Sequence, residues 1–351
     1  MSSDPAALDG PDAEAAFERA RAAGIHVIPV VTPYAVGRVN CYLLEDAPLT
    51  LVDTGPNSGS ALDELEQGLD ALGHGIEDLE LIVLTHQHMD HTGLVEILVQ
   101  RSGAEVAAID VLVGYLAGFT PDNEADDEFA GGLMLKHGIP EETVIALRSV
   151  SRSFRAWGSA ASVTRPLGDG ETLALRDRSL EVLHRPGHSP SDTVFWDSSR
   201  GILLAADHLI GHISSNPLLS RPLDGSTERP RALINYIASM RKTRALPAEL
   251  VLSGHGAPIT DHVALIDERF SFHETRAARI LSIVERGPST AYELAQELWG
   301  NVAVTQAYLT LSEVVGHLDL LIDAGSVREL IDDDGIVRFE ATGEGGPVHL
   351  A

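Results

Sequence analysis

Cysteine is almost missing from this chain. Cys41 is the sole one among 351 residues, so no internal disulfide can form. It sits in the apolar pattern Val39-Asn40-Cys41-Tyr42-Leu43-Leu44, which reads as a strand with a buried, inert thiol. Lysine is as scarce, at Lys136 and Lys242 only, so arginine carries nearly all the positive charge. Positive charge is itself short. Lys and Arg total 25 against 52 Asp and Glu, a formal net charge of −27, and this excludes a general polyanion binder but not a local basic groove. No run approaches the ~18 consecutive apolar residues of a membrane-spanning helix. The first 21 residues are rich in Ala, Asp and Glu and lack the apolar stretch of a signal peptide or anchor. A cytoplasmic protein is the expectation. Hydrophobic content of 44% supports a full core, and the length suggests one large domain plus a small one.

Along the chain, residues 1–24 read as a flexible tail ending in a short helix. Strand patterns follow at His26–Val31, Val39–Leu44 and Leu49–Val52, the last running into Asp53-Thr54-Gly55. Leu62, Leu65, Leu69 and Leu72 have helical spacing. Leu79–Leu84 is a strand, Thr92–Val99 a helix and Glu105–Asp110 a strand. This alternation predicts an α/β layered fold. Residues 111–165 interrupt it with an acidic loop at 122–128 and two helices, and read as a cap inserted beside a site. Alternating strands return at 171–175 and 180–183, then a hairpin at 193–208, a helix at 229–245, a strand at 250–256 and a long helix at 261–286. Gly287-Pro288 marks a boundary. Beyond it, two helices and a hairpin turning at Asp332-Asp333-Asp334-Gly335 suggest a winged-helix module over 287–342, followed by a tail.

The chemistry concentrates in Thr85-His86-Gln87-His88-Met89-Asp90-His91. Three imidazoles and a carboxylate in six residues would repel and desolvate one another unless a cation organised them. They are also the N and O ligands that zinc accepts. Other apolar runs end at His188 in Pro-Gly-His-Ser-Pro-Ser-Asp, at Asp207 in Ala-Ala-Asp-His, and at His255 in Ser-Gly-His-Gly. A layered sheet gathers its strand ends along one edge, so these distant residues can converge. Glycines beside them permit close approach of the backbone to an ion. His184, His208 and His212 lie nearby and are assigned to solvent or to the surroundings of the ligands.

These motifs resemble the metallo-β-lactamase superfamily over roughly residues 25–260. His86, His88, Asp90 and His91 meet its H-x-H-x-D-H signature, and His188, Asp207, His255 and Asp53 match its other motifs. The resemblance implies a four-layer αββα sandwich. It implies one metal held by His86, His88 and His188, another by Asp90, His91 and His255, and Asp207 bridging both with a hydroxide. Two zinc ions per chain are expected, with Mn²⁺ or Fe²⁺ accepting the same ligands. Asp90 would orient the hydroxide or take its proton, and Asp53 would hydrogen-bond a ligand histidine.

The fold does not choose a substrate. The layout resembles the β-lactamase-like, glyoxalase II-like branch with a C-terminal winged helix, carried by Ala291–Ala295 and Leu311–Leu321. Some of its members are RNA endonucleases and others ester or thioester hydrolases. From Gly287 onward there are eleven acids and two arginines, and Thr305–Ala324 contains no lysine or arginine. A DNA-recognition helix needs cations. The module is therefore expected to serve packing or dimer formation, and the partner is expected to be a small acyl molecule, not nucleic acid and not a membrane. The reading is an ester, thioester or lactone hydrolase. A phosphodiesterase or RNase on the same metals is the alternative, favoured if Arg148, Arg152, Arg155 and Arg165 line the cleft. A non-enzymatic winged-helix binding protein is the third. The cap and Ile213–Leu219 are expected to form the substrate pocket, with Tyr115, Phe119, Met134, Trp157 and Asn216 as contacts.

Overall fold

The computed structural model describes residues 11–223, 225–226, 228–302 and 306–350. It begins with α1 (Pro11–Ala22), β1 (Ile25–Val30), β2 (Val39–Leu44), β3 (Thr50–Val52), α2 (Gly59–Ala71), β4 (Leu81–Leu84), α3 (Met89–Thr92), α4 (Val95–Ser102) and β5 (Glu105–Ile109). The inserted cap is α5 (Leu112–Ala117), α6 (Phe119–Lys136) and α7 (Glu141–Phe154). Then come β6 (Arg165–Leu167), β7 (Thr172–Ala174), β8 (Ser179–His184), β9 (Thr193–Asp197), β10 (Ile202–Ala206), α8 (Ala232–Arg244), β11 (Leu250–Ser253) and α9 (His262–Val284). The chain closes with β12 (Ser289–Thr290), α10 (Ala291–Trp299), α11 (Ala307–Asp323), β13 (Val327–Ile331) and β14 (Val337–Ala341).

Two mixed sheets form the centre. One runs β1-β2-β3-β4-β5-β6, antiparallel up to β3 and parallel from β3 to β6. The other runs β11-β10-β9-β8-β7, with β10 and β11 parallel and the rest antiparallel. Strand alternation sorts the second sheet's side chains. Val182, Phe195, Ile202, Leu204, Leu250 and Leu252 join the core shared with the first sheet. Their neighbours Leu183, Val194, Trp196, Leu203, Ala205 and Val251 point the other way, onto Tyr236 and Met240 of α8 and Ile266 and Phe270 of α9. Cys41 is fully buried, and burial pushes its thiol up, so it stays protonated. Among the described residues, no helix is long and apolar enough to cross a membrane.

Three expectations need correction. The segment before β1 is a docked helix from residue 11 onward, because Ala16, Phe17 and Ala20 form a buried face and Arg19 pairs with Glu249; residues 1–10 of the expected tail lie outside the described residues. The acidic stretch 122–128 is not a loop but the interior of α6. Its carboxylates are neutralised from elsewhere: Arg221 pairs with Asp122 and Asp126, and Arg155 with Glu124 and Asp127. The helix expected after His91 starts earlier, as the single turn α3 containing Asp90 and His91, and resumes as α4.

The C-terminal segment is less separate than the Gly287-Pro288 boundary suggests. Met134, Ile139 and Val144 of the cap share one apolar core with Ile280 and Val284 of α9 and with Leu311, Val314, Leu318 and Phe339 beyond the boundary. α11 is buried along most of its length, from Thr310 through Leu321 except Glu313. Arg229, ahead of α8, holds Asp319 of α11 with two bonds of 2.7 and 2.9 Å. The cap is thus clamped between α9 and the C-terminal elements.

Candidate metal centre

Each candidate ligand hangs from a strand end or the turn after it. β4 stops at Leu84, and His86 and His88 follow in the turn that opens α3. Asp207 follows β10 directly, and His255 comes two residues after β11. His188 lies in the β8–β9 connection, which Asp192 shapes by accepting bonds from Ser189 N (3.0 Å) and Ser189 Oγ (2.6 Å). The strand ends are tied across the two sheets. Asn40 N donates to Gly254 O at 2.7 Å, Asn40 Nδ2 to Ser253 O and Gly256 O, and Thr193 N to Thr85 O at 3.0 Å. The backbone is strained beside the centre, with φ of 60° at Asp53 and 44° at Ala206, a region that non-glycine residues rarely adopt.

The structure brings all seven residues together in two groups. His86, His88, His188 and Asp207 place ligand atoms within 4.8 Å of one another, and so do Asp90, His91 and His255. Asp207 links them, its Oδ1 lying 3.4 Å from His91 Nε2 and its Oδ2 3.5 Å from His188 Nε2 and 3.4 Å from His255 Nε2. Asp90 Oδ2 is also 3.4 Å from His255 Nε2.

Neighbouring groups set the tautomers. His91 Nδ1 donates to Asp53 Oδ2 at 2.7 Å, His255 Nδ1 to the Arg38 carbonyl at 2.8 Å, and His188 Nδ1 to the Asn216 carbonyl at 3.1 Å. The Thr85 hydroxyl gives its proton to Asp53 at 2.8 Å, which leaves its oxygen to accept from His86 Nδ1 at 3.0 Å. All four rings therefore turn Nε2 inward. His88 presents Nδ1 to two of them, 3.0 Å from His86 Nε2 and 2.9 Å from His188 Nε2. One N–H can satisfy only one of those contacts. The other leaves an Nε2 facing a nitrogen with no second proton to give, a mismatch that a shared cation removes.

Orphaned atoms support the same conclusion. His91 Nε2, His255 Nε2 and Asp207 Oδ1 are buried without a hydrogen-bond partner, a costly state for a polar group. Gly254 is needed beside them, since a Cβ there would collide with the Asp207 carboxylate. The nitrogen and carboxylate donors suit zinc, manganese or ferrous iron.

The electrostatics divide the centre. Burial, reinforced by the neighbouring histidines, pushes His86 well below its ordinary value and His88 down to about 3. Burial would also lower His91 and His255, but the surrounding carboxylates win. Asp207, Asp53 and Asp90 hold His91 well above its usual range, and Asp207 and Asp90 raise His255 to about 10. Burial would raise Asp207 and Asp90, yet His255 and His91 keep both below the ordinary carboxylate value. Without a cation, protons on His91 and His255 balance the carboxylates, at the positions a metal would take.

A cavity of about 770 Å³ opens onto His88, Asp90, His188 and Asp207. The cap supplies Tyr115, Phe129, Met134 and Phe154, the segment after β10 supplies Ile213, Asn216 and Leu219, and the C-terminal elements supply Tyr308 and Leu309. Of the residues expected as contacts, Tyr115, Met134 and Asn216 line this cavity. Phe119 and Trp157 do not line the cavity; Phe119 packs on Gly158, and the Trp157 carbonyl accepts from Asn57 N. Of the four arginines at 148, 152, 155 and 165, only Arg148 lines it. Sequence reasoning missed Tyr34, which stacks on Phe154 at 5.7 Å, and the contribution of residues 306–309. No local pattern announces these. Asn40 did leave a signal, a lone amide inside an apolar strand. His208 is buried against Thr243, and the half-buried His184 bonds the Pro190 carbonyl, both outside the two groups.

A third group, His273, Glu313 and His317, lies between α9 and α11. His317 Nδ1 donates to the Glu313 carbonyl at 2.6 Å, and its Nε2 sits 3.1 Å from His273 Nδ1. One N–H satisfies that single contact, and Arg276 stands 3.8 Å from the Glu313 carboxylate. A neutral hydrogen-bonded pair explains this cluster without a cation.

Comparison with known proteins agrees with the geometry. Residues 34–255 match the family model of the metallo-beta-lactamase superfamily, and residues 277–342 match that of the metallo-beta-lactamase-like C-terminal domain. The probable metallo-hydrolase YqjP of Bacillus subtilis (strain 168) is 34% identical over 294 residues, covering 84% of this chain and 91% of that protein. Hydroxyacylglutathione hydrolase GloC of Haemophilus influenzae is 24% identical over 236 residues, 66% of this chain and 91% of that one. The crystal structure of a metallo-beta-lactamase family protein from Thermus thermophilus matches with a TM-score of 0.74 and 30% identity, over 91% of this chain and 98% of that one. With its paired sheets, its converging histidines and aspartates and these matches over most of its length, the chain belongs to the metallo-beta-lactamase superfamily of metallo-hydrolases.

Proposed function

We propose that this protein is a di-metal hydrolase of an ester, thioester or lactone. His86, His88 and His188 would hold one divalent cation, zinc by preference, and Asp90, His91 and His255 the other, with Asp207 between them. When bound, such a pair supplies hydroxide near neutral pH and polarises the oxygen of the group under attack. The observation that carries this reading is the inward convergence of Nε2 atoms, held there by Asp53, Thr85 and the carbonyls of Arg38 and Asn216.

The chain's own residues divide the remaining work. Asp90, kept ionised, orients the attacking water and accepts its proton. Asp53, Arg38 and Asn216 keep the ligand rings from turning. The apolar wall of the cavity takes up the acyl group and excludes bulk water. The relative named as a hydroxyacylglutathione hydrolase also favours an acyl substrate. The C-terminal elements form a winged helix in this reading, used for packing. Its helix α11 is turned into the core, where it could not enter a DNA groove.

The phosphodiester alternative has Arg148 in its favour, since phosphate needs a cation. Two arginines line the cavity, but Arg221 is held by Asp122 and Asp126, and the wall is otherwise largely apolar, which favours the acyl reading.

The test is a panel of p-nitrophenyl esters, acyl-glutathione, homoserine lactone and bis-p-nitrophenyl phosphate, run beside metal analysis. Turnover of a carbonyl substrate with about two metals per chain is expected. His88→Ala is expected to lose both metal and activity. Turnover of the phosphodiester alone would reject the acyl reading, and full metal and activity in His88→Ala would reject the site.

A further inference from the structure

Within the cavity, the charges are unevenly paired. Asp126 accepts from Tyr115 Oη at 2.9 Å and from Arg221 Nε at 3.0 Å. Asp127 accepts from Ser151 Oγ at 2.7 Å and pairs with Arg155. Arg221 and Arg155 are thereby spent on the cap's own acids. Arg148 is different. It is half-buried and makes no ion pair among the described residues, and its Nε, like that of Arg155, is buried without a hydrogen-bond partner.

Arg148 is also fixed in place. Its stem lies against Gly131 of α6, where a Cβ would stand 3.4 Å from Arg148 Cδ. It sits on α7 six residues before Phe154, about 9 Å along the helix axis at 1.5 Å per residue. Phe154 stacks on Tyr34, and both line the cavity together with His88 and Asp90, which places that end of α7 beside the metal centre. A guanidinium nitrogen buried without a partner is costly, and in a chain with 52 acidic residues a partner carboxylate would be easy to supply. The missing partner fits a ligand.

We propose that Arg148 binds an anionic oxyacid group of the substrate, a carboxylate or a phosphate, while the apolar wall holds the chain that leads to the metal centre. The natural substrate is then an anionic acyl ester or thioester; this rests on the carbonyl-hydrolase reading above. The guanidinium fork suits either oxyacid, and such charge-assisted bonds are among the stronger ones. The anion sits on the acyl chain or on the leaving group.

Two matched pairs separate those sources: p-nitrophenyl octanoate against the p-nitrophenyl monoester of suberic acid, and S-octanoyl-N-acetylcysteamine against octanoyl-coenzyme A. The wild type is expected to prefer the anionic member of one pair by about 10- to 100-fold in kcat/KM. Preference in the first pair places the anion on the acyl chain, and in the second on the leaving group. Arg148→Gln is expected to erase that preference, losing turnover of the anionic member at least tenfold more than that of the neutral member, and Arg148→Lys to restore part of it. No preference in either pair, or equal loss on neutral and anionic members, overturns the proposal. If no ester or thioester is turned over, the carbonyl reading fails, and calorimetry with suberate decides on Arg148 separately. Binding at least tenfold tighter to wild type than to Arg148→Gln keeps the anion site, and equal binding removes it.

Discussion

The Asp53 carboxylate lies 2.7 Å from His91 Nδ1, with both side chains almost wholly buried and 38 residues apart in the chain. It also accepts from Thr85 N at 3.0 Å and from the Thr85 hydroxyl at 2.8 Å. One carboxylate thus orients His91 directly and His86 through Thr85, one ring from each of the two ligand groups.

Asp53→Asn keeps the size and removes the charge. An amide cannot accept all three bonds, and its NH₂ would turn a donor toward His91 or Thr85. Metal affinity is expected to fall about 10- to 100-fold, with activity recovered at high metal concentration. Metal titration beside circular dichroism checks this; an unchanged affinity in a folded protein would show that Asp53 does not orient the ligands.

Gly254→Ala tests the closeness of the backbone to the centre. The added methyl would collide with the Asp207 carboxylate and lie 3.0 Å from His91 Cε1. Displacing Asp207 is expected to lower metal content and activity, at about 1–3 kcal/mol of stability from overpacking. Denaturant unfolding of the metal-free proteins measures the second effect. Wild-type metal content in this variant would mean that Asp207 is not needed where it stands.

His137 predicts a pH dependence at the junction of cap and C-terminal elements. It closes α6, stacks on Phe339 at 5.9 Å, and has an unpartnered buried Nδ1. Burial, with Arg229 and Lys136 nearby, lowers it to about 4. The folded state therefore binds fewer protons than the unfolded state between pH ~6.5 and ~4. This histidine imposes no penalty above pH ~6.5, and folding stability falls as the pH drops through that window, by at most about 1.4 kcal/mol per pH unit. His137→Gln should flatten the fall of Tm between those limits and leave the profile above pH 7 in shape unchanged. An identical slope in both proteins would exclude His137 as the source.

The candidate ligands were legible because each depends on local information. Residue type and spacing place His86, His88, Asp90 and His91 in one turn, and apolar runs that end in Asp or His mark strand ends. The acidic part of the cap misled for the opposite reason. Asp122, Asp126 and Asp127 look like a solvated loop until their partners, Arg221 and Arg155, are brought in from 28 to 99 residues away. The docking of α1 likewise depends on Glu249, 230 residues beyond Arg19.

By itself the sequence determined the candidate donor set, the order of the strands that carry it, and the family to which the chain belongs. Those follow from residue identity and short-range periodicity, which need no knowledge of distant partners. Only the tertiary structure decided which nitrogen of each ring faces inward, because carbonyls such as that of Arg38, 217 residues from His255, make that choice. It also decided that the cavity is walled jointly by cap and C-terminal elements, and that Arg148 alone among the cap arginines in question faces it. Shared cores and unpaired charges are properties of side chains meeting in space, and no window along the chain contains them.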